Sequence, residues 1–156
     1  MIWPAAIEVR INMGKLRSSP IYTSPTDVAQ AFYRAFEARN LEAMMAVWAD
    51  DEEIVCVHPG GSRLVGYDAV RHGWEQLFAS GQRLAFRLEQ VVPIETVGLA
   101  THSAIEHITV LGENNATGTA TCTNVFVRTP NGWRMILHHS SLGPPLVEAQ
   151  RPGPLH

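Results

Sequence analysis

Residues 31–78 read AFYRAFEARNLEAMMAVWADDEEIVCVHPGGSRLVGYDAVRHGWEQLF, and this segment carries most of the architectural information in the chain. Apolar side chains recur at helical spacing from Val28 to Phe36, and Thr26 just upstream has a side chain suited to cap a helix. A break of two polar residues separates this pattern from a second apolar stripe that ends at Trp48. The pattern predicts two consecutive helices at the start of the domain.

The next part of the segment predicts two short strands and a third helix. A β-branched run at residues 54–58 is closed by a Pro-Gly-Gly turn, so His58 is the last residue of the first strand. Residues 63–65 form a brief second strand. After a glycine, an apolar stripe at helical spacing predicts a helix that ends near Ser80 and turns Trp74 toward the interior.

Beyond this helix, four longer runs alternate apolar and polar residues in the manner of strands. Pro93 is expected to end the first of them because proline donates no amide hydrogen bond, and turn-forming residues separate the others. Because no helix intervenes, we expect a mainly antiparallel sheet with the helices on one side. The predicted fold class is α+β, a cone-shaped, curved, mainly antiparallel sheet wrapped around the N-terminal helices. The predicted long strands are residues 84–92, 97–111, 116–128 and 133–141.

Composition limits the classes of partner. The chain has 156 residues, of which 46% are hydrophobic and 17% charged, so we expect one domain with a packed core. A net charge of -3 offers no basic surface for phosphate backbones, which argues against a nucleic-acid partner. No apolar run approaches the roughly 20 residues that cross a bilayer, which argues against a membrane partner.

The sequence contains none of the motifs that identify a metal site or a nucleotide cofactor. Histidine, cysteine and acidic residues do not cluster at metal-ligand spacing, and there is no glycine-rich phosphate loop. Cys56 and Cys122 lie in apolar, strand-like runs without Cys-x-x-Cys spacing, which favours buried free thiols and a reducing cytoplasm. We therefore predict no metal, no cofactor and a cytoplasmic protein.

The two ends of the chain differ from its centre. Residues 1–24 show no sustained period, so we expect an irregular leader in which Met13 is an alternative start to Met1. Residues 143–156 are rich in proline and cannot continue a strand ladder, which predicts an extended tail. The predicted domain therefore covers residues 25–142.

The segment 31–78, together with GWRMILHHSS at residues 132–141, resembles the nuclear transport factor 2-like superfamily, and within it the SnoaL-like and ketosteroid-isomerase-like bacterial proteins. The shared pieces are the N-L-E break between helices, the W-A-D-D turn, the G-x-x-A-V helix start at Gly66 and the closing W-R-x-x-x-x-H-x-S strand. The resemblance covers residues 26–141. It implies a cone with a mostly apolar pocket between sheet and helices, and frequently a homodimer formed through the sheet.

The resemblance also implies where a site lies. The aspartate base of the family precedes a proline at the end of the first strand, and the matching residue here is His58. The oxyanion-hole tyrosine matches Phe32, with Tyr33 beside it but about 100° around the helix, and the second oxyanion acid has no counterpart. These features imply proton transfer by histidine on a small apolar molecule, in an isomerisation, cyclisation or dehydration. A ligand-binding or dimerisation module without catalysis, or an accessory subunit similar to the small subunit of aromatic-ring dioxygenases, is the alternative.

Two histidines are candidates for proton transfer, because the unperturbed pKa of imidazole is about 6.5. His58 ends a strand at a turn, where side chains line a pocket mouth; alternatively it satisfies the backbone of the turn. On the last strand, a period of two places His139 on one face with Trp133 and Met135, which predicts that it points into the cone. The alternative is a buried histidine bonded to a core partner. On this count the opposite face holds Arg134, Ile136, His138 and Ser140.

Further residues are candidates for the wall of a pocket. Asn124 is a polar exception on the dry face of its strand, where an unpaired amide costs about 1 to 3 kcal/mol, so it must find a core partner or reach pocket water. Trp74 has the spacing of an ordinary core residue, and both roles stay open. His102 and Glu106 share a strand face, where we expect a surface pair. The candidate wall residues are Tyr33, Trp74, Asn124 and Ser141.

Overall fold

The computed structural model describes residues 19–112 and 114–143, so most of the predicted leader and tail lies outside the described residues. Within these ranges, three helices and six strands follow in the predicted order of helix, helix, strand, strand, helix and four strands. The elements are α1 (Pro25–Ala38), α2 (Leu41–Val47), β1 (Val55–Val57), β2 (Leu64–Val65), α3 (Tyr67–Ala79), β3 (Leu84–Glu95), β4 (Leu99–Val110), β5 (Thr117–Thr129) and β6 (Gly132–Leu142).

Polar side chains set the starts of the first two helices. The N-cap of α1 is Ser24, whose hydroxyl accepts a hydrogen bond from the backbone N–H of Asp27. The prediction that Thr26 caps this helix is wrong, because the fixed φ of Pro25 suits the first helical position. Asn40 caps α2 through its side-chain oxygen. Among the helices in the described ranges, none is both long enough and apolar enough to cross a bilayer.

The strands form a six-stranded sheet in the order β2-β1-β6-β5-β4-β3. β1 runs parallel to β6, and the other neighbouring pairs are antiparallel. The sheet remains open, since β2 and β3 lie at its two edges. The helices pack on one face of the sheet, and the predicted α+β fold with a mainly antiparallel sheet is confirmed.

β3 is longer than the sequence pattern predicts. It continues through Pro93 to Glu95, so the prediction that the proline ends the strand is wrong. On an edge strand, a proline can occupy the open side, where no ladder hydrogen bond is lost. A register shift between Glu89 and Val92, with Gln90 at a φ of 51°, bends the strand just before the proline.

Alternation along β4 and β5 gives the sheet an inner face toward α1 and an outer face away from it. Side chains of the inner face are buried, and many of those on the outer face are exposed or half-buried. The inner face of β4 and β5 consists of Ala100, His102, Ala104, Glu106, Ala120, Cys122, Asn124 and Phe126. The outer face of these strands carries Thr101, Ser103, Ile105, Thr121, Thr123 and Val125.

An aromatic cluster joins the helices to the inner face. Phe32 and Phe36 of α1 both meet Trp74 of α3 edge to face, with ring centroids 5.5 and 4.7 Å apart. Such pairs contribute about 0.5 to 1.5 kcal/mol beyond their buried area. Trp74 is 0% exposed, which agrees with the inward orientation predicted from its helical stripe.

Candidate functional site

A β-bulge in β6 interrupts the strict two-residue period of that strand. Val125 of β5 pairs with Leu137, whereas the adjacent Phe126 pairs with Met135. Ile136 is therefore an extra residue on β6, and two residues of that strand oppose one step of its partner. Every side chain that follows Ile136 lies on the face opposite to the one that simple counting predicts.

The bulge places His138 on the inner face and His139 on the outer face. His138 is 1% exposed, whereas His139 is exposed beside its register partner Thr123. The prediction that His139 points into the cone is therefore wrong. The inward orientation assumed for Ser141 is wrong for the same reason, because it is exposed too, and Ser140 takes the buried position.

His58 and His138 converge because β1 lies parallel to β6. The register pairs Cys56 with His138, and His58, which directly follows β1, lies two residues beyond Cys56, so both side chains point inward. The centroids of the two imidazole rings are 5.9 Å apart. The His58 ring also stands nearly perpendicular to Trp74, with centroids 4.6 Å apart, and its Nε2 lies 3.6 Å from the Cys56 Sγ.

A chain of buried hydrogen bonds leads from His138 along the inner face. Its Nδ1 lies 2.6 Å from Asn124 Oδ1, and the Asn124 Nδ2 donates to the Tyr33 hydroxyl oxygen at 3.2 Å. The Tyr33 hydroxyl donates to Glu106 Oε1 at 2.7 Å, and the Ser140 hydroxyl donates to Glu106 Oε2 at 2.7 Å. We call these five residues the inner network. Tyr33 and Asn124, both predicted as wall residues, are thus brought together in it.

Glu106 is a further residue of this site that sequence reasoning misplaced. The expected surface pair with His102 is wrong, since Glu106 is 2% and His102 is 8% exposed. His102 instead packs against Phe126, with ring centroids 4.8 Å apart. The available signal was that Ala100 and Ala104 share the strand face of His102 and Glu106, because apolar residues on one face of an antiparallel strand indicate the face that packs on the core.

Burial sets the protonation of the two facing histidines. Loss of hydration lowers the pKa of His58 to about 4 and, mainly for the same reason, the pKa of His138 to about 3. Both imidazoles are therefore neutral at pH 7. Burial and then the Glu106 carboxylate raise the pKa of Tyr33 far above its ordinary value, so the phenol keeps its proton. Burial raises the pKa of the Cys56 thiol to about 12.

One polar group beside the histidines lacks a partner among the described residues. The indole N–H of Trp74 is buried and donates to no acceptor there. A buried donor left unpaired costs about 1 to 3 kcal/mol, so an oxygen acceptor brought to this position would relieve the cost. The same is true of Trp48, whose indole N–H is also buried without an acceptor in the described part of the chain.

Two depressions on the surface lie away from the histidine pair. One, with a volume of about 810 Å³, follows α2 and is lined in part by the acidic residues Asp50, Asp51 and Glu52. The other, of about 390 Å³, runs across β3, β4 and β5 beside Phe86 and His107. Neither of these two depressions is lined by either of the facing histidines, so the apolar pocket implied by the sequence resemblance stays a prediction.

The order of elements and the open sheet packed on α1 agree with a match to a known domain family. The sequence profile described as SnoaL-like domain matches residues 26–145, which is most of the chain. The chain belongs to the SnoaL-like family. The resemblance to the nuclear transport factor 2-like superfamily noted from the sequence is thereby confirmed.

Two solved structures of other proteins superpose well on this chain. A proposed calcium/calmodulin-dependent protein kinase type II association domain from Thiobacillus denitrificans is 36% identical, with a TM-score of 0.74, and covers 80% of this chain and 99% of its own. A proposed dehydratase of the NTF2-like family from Streptomyces avermitilis is 28% identical, with a TM-score of 0.68, over 74% of this chain and 91% of its own.

A plant relative carries a similar domain within a larger protein. The F-box protein SKIP8 of Arabidopsis thaliana is 28% identical over 111 residues, which is 71% of this chain and 46% of that protein. This chain therefore spans less than half of the length of that relative. Together with the solved structures, the match shows that the SnoaL-like architecture is shared by proteins whose names describe different roles.

Proposed function

We propose that this SnoaL-like protein binds a small, largely apolar carbonyl compound inside the cone and transfers a proton within it, with His58 as the base. The observation that carries the proposal is the approach of two neutral imidazoles in a largely apolar interior, at a ring-centroid separation of 5.9 Å. Burial of a titratable group costs stability, so groups with strongly shifted pKa values are found more often at functional sites, where the shifted pKa serves the chemistry.

The pKa of His58 is compatible with removal of a proton from carbon next to a carbonyl. Its value of about 4 is close to that of the aspartate base of ketosteroid isomerase, about 4.6, so the two bases have similar strength. At neutral pH the imidazole is fully unprotonated and therefore available as a base. Burial, which causes the low pKa, also keeps the imidazole weakly hydrated.

His58 is better placed than His138 to meet a ligand. Its ring is only partly buried, at the end of β1 beside the Pro59 turn, whereas His138 lies wholly inside and is tied to Asn124. A ring nitrogen of His58 takes a proton from the substrate carbon, and the electron pair moves to the carbonyl oxygen as an enolate. The indole N–H of Trp74, 4.6 Å away between ring centroids, is the donor for that oxygen. In a β,γ-unsaturated ketone, return of the proton to the γ-carbon moves the double bond into conjugation and completes an isomerisation, whereas in a saturated ketone the proton returns to the α-carbon and only exchange results.

The direct test is hydrogen exchange at the α-carbon of a panel of small cyclic and aromatic ketones in D2O, followed by proton NMR. The wild-type protein should accelerate exchange, and His58→Gln should reduce the acceleration about 10² to 10⁴-fold. His139→Gln is the matched control, because it removes an exposed imidazole from the outer face of the same sheet. Equal rates for wild type and His58→Gln would remove the catalytic part of the proposal.

Binding is tested separately by thermal denaturation with the same ketones. A ligand at about 100 times its Kd stabilises the native state by about 2.7 kcal/mol, which raises Tm measurably. The increase should shrink in Trp74→Phe, which keeps a ring in the core but removes the indole N–H. Ligands that raise Tm without exchange of their α-hydrogens would support the non-catalytic binding module instead.

We also propose that two copies of the chain associate through the outer face of the sheet. Val92 and Ile94 of β3 lie on that face, 58% and 64% exposed, in register with Ser103 and Thr101. Aliphatic side chains this exposed, next to half-buried Ile105, are typical of a surface that another protein covers. The 36% identity to a proposed association domain supports the same role.

Sedimentation velocity tests this second function. Ile94→Asp should shift the protein toward a monomer, because a carboxylate is costly to bury at an interface. Val97→Asp is the matched control, since Val97 is 85% exposed at the turn between β3 and β4 rather than on the sheet face. An unchanged sedimentation coefficient for Ile94→Asp, or a monomeric wild type, would exclude association through this face.

A further inference from the structure

We infer that Glu106 is a positioning residue: through Tyr33 and Asn124 it holds His138 with its proton on Nδ1 and the lone pair on Nε2. The inference deepens the proposed function and rests on it, because it assigns the lone pair of the second imidazole to one of its two nitrogens. The donors and acceptors around the His138 ring leave one consistent arrangement of protons.

Glu106 accepts two hydrogen bonds, one on each carboxylate oxygen. The Ser140 hydroxyl donates to one oxygen and the Tyr33 hydroxyl donates to the other, each at 2.7 Å. A carboxylate is an acceptor, and a phenol has a single hydrogen to give. Once the Tyr33 hydrogen points to Glu106, the further contacts of its oxygen, with Asn124 and with the Cys122 Sγ at 3.6 Å, must be hydrogen bonds that the oxygen accepts.

The next step fixes the side-chain amide of Asn124. Its nitrogen lies 3.2 Å from the Tyr33 oxygen, and the amide N–H is the only kind of group in Asn124 that can donate there. The amide oxygen consequently faces His138, at 2.6 Å from Nδ1. The reverse orientation of the amide would set its oxygen against the Tyr33 oxygen, which has no second hydrogen to offer.

The last step fixes His138. An amide oxygen only accepts, so Nδ1 carries the hydrogen of that bond. Burial keeps the imidazole neutral at pH 7, so the ring has one proton and Nε2 has none. Because Glu106 can only accept, the three hydrogen bonds that follow from it have one direction each, and together they fix the tautomer of His138.

Nitrogen-15 NMR of the imidazole rings reads this tautomer without any substrate. In a two-bond nitrogen–proton correlation spectrum of the wild-type protein at neutral pH, His138 should show a protonated Nδ1 and an unprotonated Nε2, with the opposite tautomer at least about tenfold less populated. The signals are assigned by their loss in His138→Gln. A protonated Nε2 in the wild type, or a doubly protonated ring, would overturn the inference.

Two substitutions test whether the preference comes from Glu106. Glu106→Met removes the acceptor, so the Tyr33 hydrogen can turn to the Asn124 oxygen, the amide can reverse, and the His138 proton should move to Nε2. Tyr33→Phe cuts the chain in the middle and should give a mixture of both tautomers. Tyr22→Phe is the matched control, because the Tyr22 ring packs under Arg134 outside the inner network.

The wild-type spectrum tests the tautomer of His138, and the spectra of the two variants test whether Glu106 causes it. If the wild type has the predicted tautomer but Glu106→Met and Tyr33→Phe keep it, Glu106 has no positioning role and the inference fails. Because the wild-type spectrum is decisive without any variant, an unfolded variant does not remove the test. The inference can also hold while ketone binding and exchange are absent, in which case only the proposed function fails.

Discussion

Two adjacent histidines on β6 experience opposite environments. His138 is buried on the inner face, bonded to Asn124 and packed against Phe32, with ring centroids 4.8 Å apart. His139 is exposed on the outer face. The residue type and the strand are the same, so the difference lies in the neighbours that the sheet and α1 supply. What a histidine can do in this protein depends on the face it occupies.

The same contrast extends to the two faces as a whole. The inner face buries a carboxylate, an amide, a phenol and an imidazole, and satisfies them with one another. Buried polar groups of this kind are costly unless each of them is hydrogen-bonded. Removal of one member should therefore leave its neighbours without a partner and lower the stability of the protein. The outer face carries threonine and serine side chains that are exposed or half-buried, and single substitutions of these should change the free energy of unfolding of one copy of the chain little.

The largest effect is expected from insertion of one alanine between Val125 and Phe126 of β5, which tests the origin of the contrast. The added residue would stand opposite Ile136 and remove the bulge, so in a regular ladder the part of β6 beyond the bulge would exchange faces and turn His138 outward. We expect loss of the folded state, or destabilisation beyond about 4 to 5 kcal/mol, in circular dichroism and urea denaturation. Insertion of one alanine after Asn114, in the exposed loop between β4 and β5, is the control and should be tolerated. A stable protein with the insertion in β5 would show that the bulge does not set the faces.

The next largest effect is expected when the same substitution is made at each of the two adjacent histidines of β6. His138→Ala leaves the Asn124 oxygen unpaired and creates a cavity beside Phe32, and we expect a loss of about 2 to 4 kcal/mol in the free energy of unfolding. His139→Ala should change it by no more than about 0.5 kcal/mol. Urea denaturation of both variants measures the difference. Similar losses for the two would contradict the assignment of faces.

A smaller effect is expected from pH. The pKa of His58 is about 4 in the folded protein, below the value of about 6.5 expected in the unfolded chain, so the unfolded state binds more protons between these values. Stability should therefore fall as pH decreases from 6.5 toward 4. Between pH 6 and pH 5 each buried histidine should account for about 1 kcal/mol, so His58→Gln should lose about 1 kcal/mol less than wild type over this interval.

The measurement is chemical denaturation of the wild type, His58→Gln and the control His139→Gln at pH 6 and at pH 5. The control should follow the wild type because its imidazole is exposed in the folded protein. Other groups that titrate in this interval contribute equally to all three proteins and cancel in the comparison. An identical pH dependence in wild type and His58→Gln would mean that the His58 ring is not desolvated in the native state.

Some parts of the site could be foreseen from the sequence. The helical stripe on α3 predicted the inward orientation of Trp74, and the alternation of β5 predicted that Asn124 lies on the dry face. Both follow from the period of a single element. The requirement that a buried amide find a partner was also foreseeable, although the identity of its partners was not.

His138 and Glu106 could not be assigned from local patterns. A bulge is visible only when two strands are aligned, since Ile136 is extra relative to β5 and nothing in β6 alone marks it. Likewise Glu106 can be buried because Tyr33, 73 residues earlier on α1, and Ser140 of β6 donate to it. A carboxylate on a strand is expected at the surface until such donors are known.

By itself the amino-acid sequence determined the order of the helices and strands, the α+β architecture, the membership in a superfamily and the burial of single residues with a clear period, because these depend on spacing along one element. Only the tertiary structure decided which histidine faces inward, which carboxylate is buried, and that β1 and β6 bring two imidazoles together. These features depend on strand register and on partners distant in the chain, where the displacement of one residue exchanges the two faces of a sheet.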